Sequence, residues 1–236
     1  MNPTEGVISE AFDLYKKHFG HLFVTALVVY LAIAILSVLF ILIGGWVGAL
    51  LSAILSVIGV FLVQAALVEA VADIRDGRAD LTVGETLSRG ASRIGSVAGA
   101  SILAGIAIAI GLVLLIVPGL VLITWWAVLV PVIVLERVGV FDAFSRSRNL
   151  VRGFDFQVFG VIVLQFLILV AVSIVISIIL VALPEEPRAF VSNVVSGSLT
   201  GPFAALVTTL LFFRLKAAKE GPGTTPAPGT PPPAVP

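Results

Sequence analysis

The sequence predicts an all-α polytopic membrane helical bundle: six transmembrane helices paired as three hairpins, each hairpin preceded by an amphipathic interfacial helix. Three observations carry this expectation. Of 236 residues, 59% are hydrophobic and 12% charged, against about 45–50% and 25% in soluble domains. The mean hydropathy of +1.16 is concentrated in six long apolar runs. The basic residues gather in alternate connections between those runs.

The chain opens with a polar segment, Met1 to Lys17, where a cleavable signal would place a basic stretch directly before an apolar core, so no signal is expected. A first interfacial helix is predicted over about 3–19. Asn2-Pro3-Thr4-Glu5 reads as its start, with proline at the first helical position. Ile8, Phe12, Tyr15 and Phe19 form its apolar stripe at i, i+4, i+7 and i+11. Spans 1 and 2 follow at 22–43 and 46–70, joined at Gly44-Gly45. The second interfacial helix, about 82–94, begins with the capping box Thr82-x-x-Glu85 and carries Val83, Leu87, Ala91 and Ile94. Spans 3 and 4, at 96–117 and 119–135, turn at Pro118-Gly119. The third interfacial helix, about 140–152, carries Val140, Phe144, Ser147 and Val151. Spans 5 and 6, at 158–183 and 190–213, are linked by LPEEPR, residues 183–188.

Residues 1–220 thus read as one membrane domain. From 221 to 236 the chain is rich in Pro, Gly and Thr with little to bury, which predicts a disordered tail. A module that reads PxxP is its only evident partner class, and no basic residue flanks the prolines to orient one.

The three interfacial segments share a pattern that predicts an internal repeat. Each runs acid, small residue, apolar residue: Glu10-Ala11-Phe12, Glu85-Thr86-Leu87 and Asp142-Ala143-Phe144. A second apolar residue comes seven positions later, at Phe19, Ile94 and Val151, and a glycine then precedes the span.

Orientation follows from the 14 Lys and Arg residues. Lys16 and Lys17 precede span 1. Arg75, Arg78, Arg89 and Arg93 lie between spans 2 and 3, and Arg137, Arg146, Arg148 and Arg152 between spans 4 and 5. Arg214, Lys216 and Lys219 follow span 6. All but Arg188 fall on one side, which places both termini in the cytoplasm.

Zero net charge argues against nucleic acid as a partner. The absence of cysteine excludes disulfides and thiolate chemistry. His18 and His21 have no nearby carboxylate cluster to complete a metal site, and no GxSxG, HExxH or P-loop occurs. A non-enzymatic protein without cofactor or metal is expected. The polar candidates within or at the ends of spans are Gln64, Glu69, Glu136, Gln165 and Asn193. For the two glutamates, interfacial ion pairs with Arg75 or Arg137 are the simpler reading. Lys16, Lys17, Arg89, Arg93, Arg146, Arg148 and Arg152 are candidate contacts to anionic headgroups, each contributing about 1 kcal/mol near such a surface. Small-residue packing is expected at Gly95, Gly99 and Gly105 in span 3 and at Gly197 and Gly201 in span 6. Alternatively, span 6 unwinds at Gly201-Pro202 to line a cavity.

Pro118-Gly119, Pro131, Glu136, Ala143, Ser147-x-x-Leu150 and Arg152-Gly153 followed by an aromatic form a further pattern. The stretch from Val117 to Val161 that holds them resembles a bacterial family known as the membrane domain of glycerophosphoryl diester phosphodiesterase. The end FFRLKAAKEG resembles that family's ending, which usually has two tyrosines and an aspartate where Phe212, Phe213 and Arg214 stand here. The resemblance extends to Gly221 and implies a bacterial inner (plasma) membrane. It does not imply phosphodiesterase activity. A catalytic barrel takes about 250 residues of soluble α/β sequence, and no such stretch occurs here. Two functional readings follow. One is a scaffold or lipid-interacting module that engages anionic headgroups on the cytoplasmic side, a protein partner or a second copy of itself. The other is a transporter or channel for a lipid or small amphiphile, with an intramembrane enzyme a distant third.

Overall fold

The computed structural model describes residues 2–75, 81–182 and 184–221, without the side chains of residues 43 and 185–190. Arg78, Leu183, the Arg188 side chain and the tail from 222 to 236 lie outside the described residues. Among the described residues the elements, in chain order, are α1 (Val7–Lys17), α2 (Phe19–Ile43), α3 (Gly45–Arg75), α4 (Val83–Ala91), α5 (Ile94–Leu114), α6 (Ile116–Trp125), α7 (Leu129–Glu136), α8 (Val140–Val151), α9 (Asp155–Leu180) and α10 (Glu185–Glu220). No strand occurs among the described residues, as an all-α bundle requires. Six segments among the described residues are long and apolar enough to cross a membrane: α2, α3, α5, α6 with α7, α9 and most of α10. The chain is a multi-pass integral membrane protein.

Burial is strongly polarised along the bundle. Leu22, Val71, Ile133, Leu150, Leu210 and Phe212 are fully enclosed at the end that carries α1, α4 and α8. At the opposite end Leu42 (76% exposed), Trp46 (78%) and Val113 (86%) stand free. Apolar surface left in water costs about 25 cal/mol per Å², so this end requires lipid around it. α9 is the outermost span, burying only Val158, Val161 and Ile176.

Each turn has a local cause. Gly44, at φ 86°, ends α2 in a conformation that favours glycine, and α3 starts at the next residue. The second hairpin turns at Leu115 (φ −156°, ψ 132°) rather than at Pro118-Gly119. Pro118 sits instead in the first turn of α6, where its missing N–H has no partner to lose. Gly119 presses on α5: a Cβ on Gly111 would lie 3.0 Å from the Gly119 nitrogen. The Asn2–Glu5 signal forms turns, and α1 begins later, at Val7, after Gly6 at φ 72°. The Thr82–Glu85 capping box forms as expected, and its hydrogen bonds from the Thr82 backbone and hydroxyl hold the Glu85 carboxyl below the usual carboxylate range. α10 continues unbroken through Gly201-Pro202, so the expected alternative of unwinding there does not occur.

Helices α1, α4 and α8 are braces of the spans more than a lipid-facing collar. In each of the three helices the small residue before the apolar one is buried: Ala11, Thr86 and Ala143 are all 0% exposed, while Phe12 is 53% exposed. Three residues after the anchor, each helix touches the backbone of a span. The Tyr15 hydroxyl, kept protonated by burial that raises its pKa, donates to the Leu199 carbonyl at 3.0 Å. Gly90 lies so close to α3 that a Cβ there would be 2.7 Å from the Ala66 nitrogen. The Ser147 hydroxyl donates to the Trp125 carbonyl at 2.9 Å.

Candidate functional site

The fourth span is not one helix. Pro131 has no N–H to give the Ala127 carbonyl, and its ring crowds that oxygen. The helix therefore stops at Trp125, turns through Trp126–Val128 and restarts at Leu129. This corrects the expectation of a continuous helix over 119–135. Irregular backbone at membrane depth must be covered by protein or line a cavity. Here both happen, on opposite sides of the break.

The covered side belongs to α8. Ser147 caps the Trp125 carbonyl, Arg148 stacks over the Trp125 ring at 4.0 Å, and Phe144 meets Trp126 edge-on at 4.8 Å. The Trp125 indole donates to Asp155 Oδ1 at 3.1 Å, and Asp155 Oδ2 accepts from the Gly153 nitrogen at 2.9 Å. Beyond the break, Glu136 at the end of α7 accepts from Arg146 Nε and Nη2, both at 2.7 Å, and from Lys216 Nζ at 2.8 Å. Arg146 also bonds Glu220. The hydrogen bond to Glu136 is the main force pushing the Arg146 pKa up, so its charge is permanent. One interfacial helix thus grips both halves of the broken span. Ser147→Ala leaves the half-buried Trp125 carbonyl without this donor and is expected to lower stability by about 1 kcal/mol in a detergent unfolding titration.

The open side is a cavity of about 280 Å³. Trp126, Ala127, Val130 and Pro131 form one wall, Tyr30, Val63, Gln64 and Leu67 a second, and Gly201, Ala204 and Thr208 a third. Gly197 lets the third wall close in: a Cβ there would sit 2.6 Å from the Tyr30 ring, and one on Gly201 3.6 Å from Leu67. Thr208 spends its hydroxyl on the Ala204 carbonyl at 3.0 Å. Gln64 and Tyr30 find no hydrogen-bond partner among the described residues. Tyr30 is half-buried and Gln64 exposed, so both can reach a guest that carries a polar atom. A wider, shallower groove of about 730 Å³ runs between α1 and α9, lined by Ser9, Gln157, Leu164 and Ile168, with no break beside it.

The remaining candidates scatter. Gln165 is half-buried on α9, and Asn193 is exposed on α10; neither lines the cavity. The expected pairing of Glu136 with Arg137 does not form, since Arg146 and Lys216 hold it. Arg75 lies over the Phe213 ring at 4.0 Å, and among the described residues no ion pair joins it to Glu69. Of the candidate headgroup contacts, Arg146 and Arg148 are engaged within the protein, and Lys16 pairs with Asp13 at 3.3 Å while covering Phe12. Lys17, Arg89 and Arg152 are exposed, and Arg93 is half-buried. Gly95 and Gly105 face open space and pack nothing, and Gly99 makes only an ordinary contact with Val140 at 3.6 Å. Of these five glycines only Gly197, against the Tyr30 ring, makes an approach that a side chain would block; Gly201, like Gly99, makes an ordinary contact at 3.6 Å. His18 and His21 gain no further ligand: among the described residues no three His, Asp or Glu side chains converge.

Sequence reasoning missed Tyr30, Trp125, Trp126, Lys216 and Gly90. The Trp-Trp pair six and five residues before Pro131 was the available signal, since two large rings beside a helix breaker need partners. No protein-family model, curated protein or solved structure matches this chain.

Proposed function

We propose that this is a non-enzymatic, lipid-interacting protein that takes the apolar part of a small amphiphile into the cavity at the broken fourth span. The observation that carries the reading is the break itself: Ala127, in the turn, and Pro131, which starves it of a helical N–H, line a cavity together with Gln64 and Tyr30, whose side chains have no hydrogen-bond partner among the described residues. A volume of about 280 Å³ lies at the lower end of small-molecule pockets, roughly 300–1,000 Å³. That fits one chain or a short amphiphile and excludes a whole two-chain phospholipid. In this reading α1, α4 and α8 are three copies of one unit on the cytoplasmic face of a bacterial plasma membrane, as the basic residues and the resemblance around Pro118–Phe154 imply. Translocation of the guest is the second reading, favoured by the grip of α8 on both α6 and α7, which links the membrane surface to the cavity wall.

Native mass spectrometry of the purified protein with a single-chain fatty acid tests the first reading. Gly201→Phe fills the cavity and is expected to lower occupancy at least ten-fold. Gly105→Phe, at a glycine with nothing within 4 Å, is expected to leave it unchanged. Equal occupancy in wild type and Gly201→Phe would sink the proposal.

A further inference from the structure

The cavity at the broken fourth span has an uncharged lining. Among the described residues that bound it, none is acidic, basic or histidine. The first charges along its three walls are Glu69 on α3, Glu136 on α7 and Arg214 on α10. They lie five residues beyond Gln64, five beyond Pro131 and six beyond Thr208, about 7–9 Å along each helix axis. The one cation of the three, Arg214, is already paired with Glu10. An ion brought into such surroundings without a partner is costly enough that a titratable head gives up its charge instead.

What the walls offer is hydrogen bonding in both senses. Pro131 has no N–H to give the Ala127 carbonyl, and no other donor among the described residues reaches it. Ala127, a lining residue, thus carries an acceptor that lacks a donor. Tyr30 brings a hydroxyl to the wall: its oxygen lies 3.9 Å from the Cβ position of Gly201, which also lines the cavity. Gln64 adds an amide that both donates and accepts. Thr208 has spent its proton on the Ala204 carbonyl, and its oxygen still accepts. A hydroxyl head matches this set, giving its proton to one acceptor while taking another from Tyr30 or Gln64. A carboxylate only accepts, and an ammonium only donates.

We infer that the cavity selects an uncharged hydroxyl head, so that its guest is a single-chain alcohol. The inference rests on the reading of this cavity as the site of a single-chain amphiphile. A fatty acid enters as the protonated acid, whose O–H is also a donor, and its binding weakens as rising pH removes that proton.

Native mass spectrometry of the full chain in detergent reads the selection. Dodecanol, dodecanoate and dodecyltrimethylammonium are offered in equal amounts at about pH 8, well above the ordinary carboxyl range. Dodecanol is expected to occupy at least about ten-fold more protein than either ion. Lowering the pH to about 5 is expected to raise dodecanoate occupancy and leave that of dodecanol unchanged. Tyr30→Phe keeps the ring that packs on Gly197 and removes only the hydroxyl. It is expected to lower dodecanol occupancy about five-fold with an unchanged melting temperature. Dodecanoate bound as well as dodecanol at about pH 8, or dodecanol occupancy untouched by Tyr30→Phe, overturns this inference alone when Gly201→Phe still empties the cavity. Dodecanol occupancy untouched by Gly201→Phe overturns the cavity reading and this inference with it.

Discussion

Glu136→Ala is expected to lower the stability of the bundle by about 3 kcal/mol, the largest loss among single substitutions at the polar end. Glu136 is 12% exposed and joins two cations, Arg146 and Lys216, from two different elements. Lys216 is 14% exposed and has no second carboxylate among the described residues, so truncation strands a nearly buried ammonium. Arg146 keeps Glu220 and is 31% exposed, which lets water offset part of its loss. Adding Lys216→Met to Glu136→Ala removes the stranded charge and is expected to recover roughly half the loss. Unfolding in mixed micelles, followed by circular dichroism, reads both. Indifference of stability to Glu136→Ala would mean that the link between α7, α8 and α10 carries no energy.

Gly90→Val is the second large effect. A Cβ on Gly90 would lie 2.7 Å from the Ala66 nitrogen, 2.9 Å from its Cα and 3.1 Å from its Cβ. Backbone atoms cannot rotate aside as a flexible side chain does, so α4 must lift from α3. Overpacking of this kind costs about 1–3 kcal/mol, and a short helix held by its caps and one face has little reserve. Hydrogen exchange at the α4 amides is expected to become nearly as fast as in an unprotected segment, while α5 and α10 keep their protection. Gly84→Val is the control, because nothing lies within 4 Å of its Cβ position. Protected α4 amides in Gly90→Val would refute the close packing of α4 on α3.

The hydropathy pattern made the six spans and three hairpins legible, because lipid imposes length and apolarity on every span. Gly44 and the Thr82–Glu85 capping box were legible because their chemistry is local. What escaped depends on partners distant in sequence. Arg146 and Arg148 read as headgroup contacts because basic residues near a span usually are. Their partners, Glu136, Glu220 and Trp125, come from other elements, as far away as 74 residues. The break at Trp126–Val128 escaped because an apolar run looks the same whether or not its backbone is paired. The interfacial stripes held in part: Ser147 and Val151 are buried and Tyr15 bonds a span, whereas Phe12 is exposed. Phe12, Leu87 and Phe144 catch the eye, yet the small residue before each is the one that allows close approach. Gly95 and Gly105 have the spacing of a packing motif without a helix against them.

The central claim is that the broken fourth span shapes a cavity for the apolar part of an amphiphile. Photolabelling of the protein in nanodiscs with a diazirine-bearing fatty acid, followed by peptide mapping, tests it most directly. The expected result is saturable labelling of Val60–Leu67 and Ala204–Thr208, lost on competition with unlabelled fatty acid and in Gly201→Phe. Label confined to the outer face of α9 at Phe166 and Ile174, or to the groove at Leu164 and Ile168, would contradict the account.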